Sequence, residues 1–232
     1  MCSDVHAIPR LYPSIPHLPG SRCADDRTVS TAQARRCTDP AAASGVVIVQ
    51  EKLDGSCVAV VREERGVVAR GREGRLAAES GNEARRWFAA WVAERGALFE
   101  AVLAPGEILA GEWLALVHGT RYALPHGPFV PFDVFCNEKR LGVDALAARL
   151  AGTGLPLPHE VHRGAPIAVA DAARALGQGG HGAIDLPEGL VYRVERGGEV
   201  VLVAKWVRPG KVDGCYLPEN SGAPALHHWT PP

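Results

Sequence analysis

The chain has 232 residues, of which 47% are hydrophobic and 22% are charged, as expected for one globular domain, or one domain with a small appendage. Its formal net charge of -1 excludes a protein that coats nucleic acid by charge alone, but it leaves room for a local basic groove. The six cysteines form no C-x-x-C pair, so we expect free thiols in a reducing compartment. No apolar run approaches the ~20 residues that cross a bilayer, and the N-terminus lacks the pattern of a secretory signal. We therefore expect a cytoplasmic location and no membrane partner.

The first 44 residues are rich in proline and then polar, without a clear period. This pattern predicts an irregular arm with a short helix near residues 32–36, and a partly disordered tail is the alternative that stays open. From Gly45 the pattern changes to β-branched runs at 46–50, 57–62 and 67–71, separated by D-G and E-R-G turns. Such runs predict three short strands in an antiparallel meander.

Apolar residues recur at helical spacing through residues 79–103, with a glycine break near the middle. We expect Ser80 to cap this helix, with Glu83 completing a capping box, and we expect Trp87 and Trp91 to pack in the core. The remaining predicted elements are strands at 107–116 and 129–136, helices at 143–152 and 166–177, and a terminal hairpin of strands 189–195 and 199–208. Antiparallel strands with inserted helices define an α+β fold rather than a doubly wound sheet.

The segment E-K-L-D-G-S, residues 51–56, places Lys52 between two apolar strands and beside a tight turn. A K-x-D-G match alone is weak, because a hairpin turn with a solvated lysine explains it equally well. Further candidates follow in order along the predicted strands: Arg70 in A-R-G-R-E-G, Glu112 in G-E-W, Phe132 in F-D-V-F, Glu188 in E-G-L-V-Y-R and Lys205 in A-K-W-V-R. The order of these motifs and their strand context carry the argument together.

These motifs resemble those of the RNA ligase family within the covalent nucleotidyltransferases, which also include DNA ligases and mRNA capping enzymes. The resemblance runs from about residue 12 to residue 208. It implies an α+β nucleotidyltransferase fold, the adenylation domain of ATP-dependent ligases, with antiparallel sheets around a nucleotide cleft. On this basis we divide the chain into an N-terminal arm (1–44), an adenylation domain (45–210) and a C-terminal tail (211–232).

The resemblance also implies a role for each motif residue. Lys52 would be the nucleophile that takes AMP from ATP, and Lys205 would contact the α-phosphate. The others would surround the nucleotide: Glu51 beside the adenine pocket, Arg70 at the ribose or the RNA 5′-phosphate, Glu112 at the ribose hydroxyls, Phe132 stacked on adenine, and Glu188 at a catalytic Mg²⁺ or Mn²⁺.

The roles of three further residues stay open. Asp54 either orients Lys52 or is an ordinary Asp-Gly turn residue. Arg208 either contacts a phosphate or is a solvated charge at the end of a strand. His118 stands in a motif-like context, but single histidines are usually structural, so its role stays open.

The predicted chemistry has a physical basis. A free lysine has a pKa of about 10.4 and is a poor nucleophile at neutral pH. A second cation nearby, here Lys205 and a bound divalent metal, disfavours the charged form of Lys52 and releases its lone pair. The same cations stabilise the negative charge that accumulates on the attacked phosphate. Carboxylates such as Glu188 suit a hard cation that keeps several waters.

The sequence departs from the wider superfamily in two places. Cys57 stands at the fifth position after Lys52, where DNA ligases have arginine, which disfavours a DNA ligase. Only residues 209–232 follow Arg208, so we expect neither an OB-fold domain nor the small C-terminal domain of phage-type RNA ligases. A lone catalytic domain is then expected either to seal weakly or to need a protein partner that supplies an RNA-binding surface.

The sequence thus predicts an ATP-dependent RNA ligase that passes AMP from Lys52 to an RNA 5′-phosphate and seals that end to a 3′-hydroxyl. One alternative is a stand-alone adenylyltransferase with another acceptor. A second is a non-catalytic RNA- or nucleotide-binding module, and a third is a guanylyltransferase that uses GTP.

Overall fold

The computed structural model describes residues 11–22 and 27–232. The remainder of the predicted arm, with Cys2 and Cys23, lies outside the described residues. The strands are β1 (Val46–Lys52), β2 (Ser56–Glu63), β3 (Gly66–Gly71), β4 (Ile108–Trp113), β5 (Phe129–Cys136), β6 (Lys139–Arg140), β7 (Glu160–Gly164), β8 (Gly189–Arg196) and β9 (Glu199–Val207). The α-helices are α1 (Thr31–Thr38), α2 (Glu83–Glu94), α3 (Gly96–Val102), α4 (Val143–Leu150), α5 (Val169–Leu176) and α6 (Pro218–Ser221).

The described strands form two antiparallel sheets. The first sheet has the order β7-β1-β8-β9, and the second has the order β3-β2-β4-β5-β6. Each sheet packs its own apolar cluster. The cluster of the second sheet is aromatic and includes Phe88, Trp91, Phe99, Trp113 and Phe129. That of the first sheet is mostly aliphatic and includes Val47, Val49, Leu190 and Val194. The predicted α+β architecture of antiparallel sheets with inserted helices is therefore confirmed.

The predicted meander of the first three strands is wrong in one respect. β2 and β3 form the expected hairpin, but β1 pairs with β7 and β8 in the other sheet. The reason lies in its burial: Val47, Ile48 and Val49 are all fully buried, as in a central strand that is covered on both faces. The chain therefore crosses from one sheet to the other between Lys52 and Ser56.

The predicted capping box of Ser80 and Glu83 is wrong, and the apolar pattern of 79–103 forms two helices, α2 and α3. Ser80 does not begin α2, because Asn82 is the N-cap, and its side chain accepts from Arg85 N at 3.2 Å. Ser80 instead ends a short 3₁₀ turn and accepts from Asn82 N. The helix predicted at 32–36 is confirmed as α1 and has a capping box between Ser30 and Gln33.

The segment assigned as a C-terminal tail packs against the second sheet. Leu226 and His228 make backbone hydrogen bonds of 2.9 and 2.8 Å to Val117 and Ala115, and the Trp229 ring lies 5.4 Å from that of Trp113. Cysteines 37, 57, 136 and 215 are free thiols, as expected. Within the described part of the chain, no helix has the length and apolar character needed to cross a membrane.

Candidate active site

A cleft of about 1590 Å³ lies between the two sheets. It brings together most of the predicted site residues: Glu51, Lys52 and Lys205 from the first sheet, and Arg70, Glu112 and Phe132 from the second. A smaller pocket of about 380 Å³ shares Lys52 with the cleft and adds Asp54 and Glu188. Arg208 lines neither cavity, since its Nε donates to the Pro187 carbonyl at 3.1 Å.

Lys52 is the last residue of β1, where it lies opposite Gly189 of β8. Its Nζ donates to Glu188 Oε2 at 2.6 Å and to the Leu53 carbonyl at 3.3 Å. Glycine is required at position 189, because a Cβ atom there would collide with the Trp206 carbonyl of β9. The pairing of β1 with β8 therefore fixes the lysine and its carboxylate partner side by side at the cleft.

Opposing effects set the charge of Lys52. Burial alone lowers the pKa of Lys52, but the carboxylates of Glu188, Glu112 and Asp54 outweigh burial, and the pKa lies above its ordinary value. The expectation that a neighbouring cation lowers this pKa is not met by the protein's own residues, and Lys52 is an ammonium ion. A neutral amine therefore requires additional positive charge close to these carboxylates.

Glu112 and Glu188 place two buried carboxyl groups beside this lysine. Burial raises the pKa of Glu112 to about 8 and also raises the pKa of Glu188, while Lys52 opposes both shifts. Such hard carboxylate oxygens suit Mg²⁺ or Mn²⁺. Among the described residues, no group of three or more His, Cys, Asp or Glu side chains is arranged to hold a metal ion. A divalent ion at Glu188 would thus complete its shell with water and substrate phosphates.

The turn after Lys52 is anchored through Asp54. Asp54 Oδ2 accepts hydrogen bonds from Gly119 N at 2.9 Å and from the Lys211 ammonium group. Lys211 is almost fully buried and also donates to Thr120 Oγ1 at 2.9 Å. Burial alone raises the pKa of Asp54, but the charge of Lys211 outweighs burial and the pKa lies below its ordinary value. Asp54 therefore ties the turn to the C-terminal segment.

Lys211 is the residue that sequence reasoning missed at this site. It lies in the segment assigned as a tail, and one lysine between glycine and valine forms no motif. Its burial and its pairing with Asp54 over 157 residues become visible only in the folded chain.

Glu51 and Phe132 line the cleft from different sheets. The Glu51 side chain is almost fully buried, and its Oε2 accepts a hydrogen bond from Gly180 N at 2.7 Å. Its Oε1 has no hydrogen-bond partner within the described residues, and burial raises the pKa of Glu51 to about 7. The Phe132 ring packs edge-on against Tyr12, with ring centroids 5.1 Å apart. Both residues therefore line the cleft, but the unpartnered carboxyl oxygen of Glu51 is buried beneath its surface.

A buried ion pair joins the two sheets next to Phe132. Arg193 of β8 donates to Asp133 Oδ1 of β5 at 2.5 Å and to the Phe132 carbonyl at 3.0 Å. The Tyr12 hydroxyl donates to Asp133 Oδ2 at 2.7 Å. Asp133 and Arg193 belong to the F-D-V-F and E-G-L-V-Y-R motifs, and their contacts position the aromatic ring that the first motif supplies.

Three other candidates have defined surroundings. Arg70 donates to Glu63 Oε1 at 2.7 Å while lining the cleft. Lys205 lines the cleft from β9. His118 lines both cavities, and its Nε2 lies 3.4 Å from Ser56 Oγ. Burial lowers the pKa of His118 and so favours its neutral form.

The fold is that of the nucleotidyltransferases. An archaeal ATP-dependent RNA ligase matches with a TM-score of 0.55 and 21% identity over 85% of this chain and 48% of its own. A Naegleria gruberi RNA ligase variant with AMP and Mn matches with a TM-score of 0.52 and 18% identity, over 84% of this chain and 61% of its own. A putative ATP-dependent DNA ligase from Aquifex aeolicus matches with a TM-score of 0.50 and 14% identity, over 85% and 49%. The chain spans about half the length of the archaeal structure.

The sequence narrows this fold class to one family. A model of the RNA ligase family matches residues 45–207, a range that begins just before β1 and ends with β9. The chain belongs to the RNA ligase family. Comparison with curated proteins yields no match. Lys211, which anchors the Asp54 turn, lies beyond the matched residues.

Proposed function

We propose that this chain is an ATP-dependent RNA ligase that acts through a covalent lysyl adenylate at Lys52. The observation that carries the proposal is the position of Lys52, at the end of a central strand, in contact with Glu188 and open to the cleft between the sheets. Membership of the RNA ligase family supports the reaction class.

The cleft offers the groups that an adenine nucleotide needs. Phe132 supplies an aromatic face for the base, and stacking of this kind contributes about 1–3 kcal/mol. Glu51 lines the same cleft, where its backbone groups contact the base. Glu112 accepts hydrogen bonds from the ribose hydroxyls. The archaeal RNA ligase that shares this fold is ATP-dependent, and this likeness supports ATP as the nucleotide.

The first chemical step joins Lys52 to AMP. The Nζ lone pair forms a bond to the α-phosphorus of ATP, the bond from that phosphorus to the bridging oxygen breaks, and pyrophosphate leaves. Lys52 must lose a proton for this step, which the excess of carboxylates opposes in the protein alone. Glu188 would hold Mg²⁺ or Mn²⁺, which would supply positive charge close to these carboxyl groups and so favour the neutral amine of Lys52. Lys205 stabilises the charge on the attacked phosphate.

The next two steps pass through RNA. A 5′-phosphate oxygen of RNA attacks the AMP phosphorus, the phosphorus–nitrogen bond breaks, and Lys52 is released. A 3′-hydroxyl then attacks the 5′-phosphorus, AMP leaves, and the strand is sealed. Arg70 lies in the same cleft, where it is placed to hold the 5′-phosphate.

A pulse–chase experiment tests the proposal. The purified chain is labelled with α-³²P-ATP and a divalent metal, unreacted ATP is removed, and 5′-phosphorylated RNA is added. We expect the protein label to move to the RNA and to leave as AMP when a 3′-hydroxyl end is present. A labelled protein that no RNA discharges would instead support an adenylyltransferase with another acceptor, and label from GTP alone would contradict the choice of nucleotide.

A further inference from the structure

The charge of the cleft differs from that of the whole chain. The side chains that line it include seven arginines and lysines but only four glutamates, whereas the chain as a whole has 25 basic and 26 acidic residues. Clefts lined by one sign of charge concentrate ligands of the opposite sign. The excess positive charge therefore points to an anionic ligand at this site.

Three of these basic residues lie on one wall, between the end of β3 and the first turn of α2. Arg72 is held in place, since it donates to the Tyr12 carbonyl at 3.2 Å and to Ser14 Oγ at 2.8 Å. Arg75 and Arg85 are exposed, and neither forms an ion pair within the described part of the chain. Their guanidinium groups are thus available to an incoming phosphate, with which arginine forms paired hydrogen bonds.

The arginine wall, defined as Arg72, Arg75 and Arg85, is connected to the reactive end of the cleft. After burial, the positive charge of Arg85 is among the causes that lower the pKa of His118. His118 in turn lies beside Ser56 and shares both cavities with Lys52. A ligand on the arginine wall therefore extends towards the lysine that is to carry AMP.

The size of the cleft leaves room for a second substrate. Sites for single small molecules usually have volumes of about 300–1000 Å³, and this cleft measures about 1590 Å³. A nucleotide held by Phe132 and Glu51 fills part of that space, and the remainder runs along the basic side chains. A linear polyanion is a chemistry that fits such a groove.

We propose that the arginine wall binds backbone phosphates of the RNA strand whose 5′-phosphate accepts AMP. This inference rests on the proposed function and deepens it, because it states where the strand lies. Arg75 and Arg85 hold successive phosphates in salt-dependent contacts, and Arg72 supports them from a fixed position. The β- and γ-phosphates of ATP offer the same chemistry, so the test must separate the two sources.

The test measures RNA binding independently of catalysis. A fluorescein-labelled, 5′-phosphorylated single-stranded RNA is titrated with the wild-type chain and with the Arg75→Gln/Arg85→Gln variant at several salt concentrations. We expect the Kd of the variant to rise about tenfold, and the slope of log affinity against log salt to fall by about 1.4, for two lost contacts to a single strand. The matched control is Arg86→Gln/Arg174→Gln, which removes the same charge from exposed positions that do not line the cleft and should bind as the wild type does.

Two results would overturn the inference. One is an RNA Kd and salt slope that are the same in the cleft variant and the control. The other is a KM for ATP, measured in adenylation without RNA, that rises as much as the RNA Kd does, which would assign the arginine wall to the triphosphate. A wild-type chain that binds RNA through these arginines but forms no lysyl adenylate would confirm the phosphate contacts of the arginine wall and overturn the proposed function.

Discussion

Two lysine–carboxylate pairs meet at the turn of residues 53–55, and their lysines differ in burial. In the Lys52–Glu188 pair the side chains are 22% and 9% exposed, and Lys52 lines the cleft. In the Lys211–Asp54 pair they are 0% and 11% exposed, and Lys211 lines neither cavity. We call Lys211–Asp54 the sealed pair, because its lysine is buried and its other hydrogen bonds are made, and such a pair stabilises the fold. We call Lys52–Glu188 the open pair, because its lysine lines the cleft and is able to exchange its partner for a ligand. The same charges therefore serve two purposes within a few residues.

The largest effect is expected at the open pair. Lys52→Ala removes the nucleophile, so lysyl adenylate formation should fall by at least about a thousandfold. Adenylation is measured from the label on the denatured protein. The control is Lys139→Ala, which removes a lysine that is 82% exposed and should keep full labelling. Residual labelling of Lys52→Ala at more than a few per cent of wild type would contradict the assignment of the nucleophile.

The sealed pair should instead govern stability. Lys211→Met leaves the Asp54 carboxylate buried without its cation, which costs about 3–5 kcal/mol of the free energy of unfolding. Urea denaturation should show this loss, and the double variant Lys211→Met/Asp54→Asn should recover much of it. If Lys211→Met unfolds at the wild-type urea concentration, the pair does not anchor the turn.

The buried His181 makes the free energy of unfolding depend on pH. His181 Nε2 accepts from His159 N at 3.2 Å, and its Nδ1 faces His126 Nε2 at 2.7 Å. His126 Nδ1 donates to the Gly127 carbonyl at 2.7 Å, and His181, whose Nε2 accepts, donates from its Nδ1 to His126 Nε2 as a neutral imidazole.

Burial, followed by the electrostatic effect of the neighbouring His126 and His159 side chains, lowers the pKa of His181 to about 4. Because a lowered histidine pKa favours the neutral form in the folded state, its stabilisation is present above the unfolded pKa of about 6.5 and is lost as the pH falls towards 4. We expect a loss of about 2–3 kcal/mol across this window, measured by urea denaturation at several pH values. His181→Asn should flatten that part of the profile, and an unchanged profile would contradict the geometry.

The smallest expected effect is a change in the KM for ATP, and it distinguishes Phe132 from Phe135, two aromatic residues that both pack on Tyr12. Phe132 lines the cleft, whereas Phe135 packs edge-on against Tyr12 at 5.8 Å without lining it. Phe132→Leu should raise the KM for ATP in adenylation about tenfold, because a base-stacking contact of about 1–3 kcal/mol is lost. Phe135→Leu is the matched control. Equal changes in the KM for both variants would argue against Phe132 as the base-stacking residue.

The sequence predicted the elements that local patterns specify. Strand 129–136 matches β5, and the hairpin of β8 and β9 follows from two apolar runs around a G-G turn. The cleft residues were found because their short motifs, in order along the predicted strands, resemble those of the RNA ligase family.

The rest depended on contacts between distant residues. β7 was missed because it is polar and partly exposed, so its sequence lacks the alternation of apolar and polar residues that predicts a strand. The placement of β1 in the other sheet, the Arg193–Asp133 tie and the buried Lys211 all depend on partners more than 50 residues away along the chain. The hydrophobic periodicity within a window of about 11–18 residues contains no information on such distant partners.

The most direct test of the central claim is to locate AMP on the protein. The wild-type chain is incubated with ATP and Mg²⁺, digested without acid so that the phosphoramidate survives, and analysed by mass spectrometry. We predict one adenylated peptide, with AMP on Lys52, and none in Lys52→Ala. AMP on Lys205 or Lys211, or no adenylated peptide from the wild-type chain, would contradict the account.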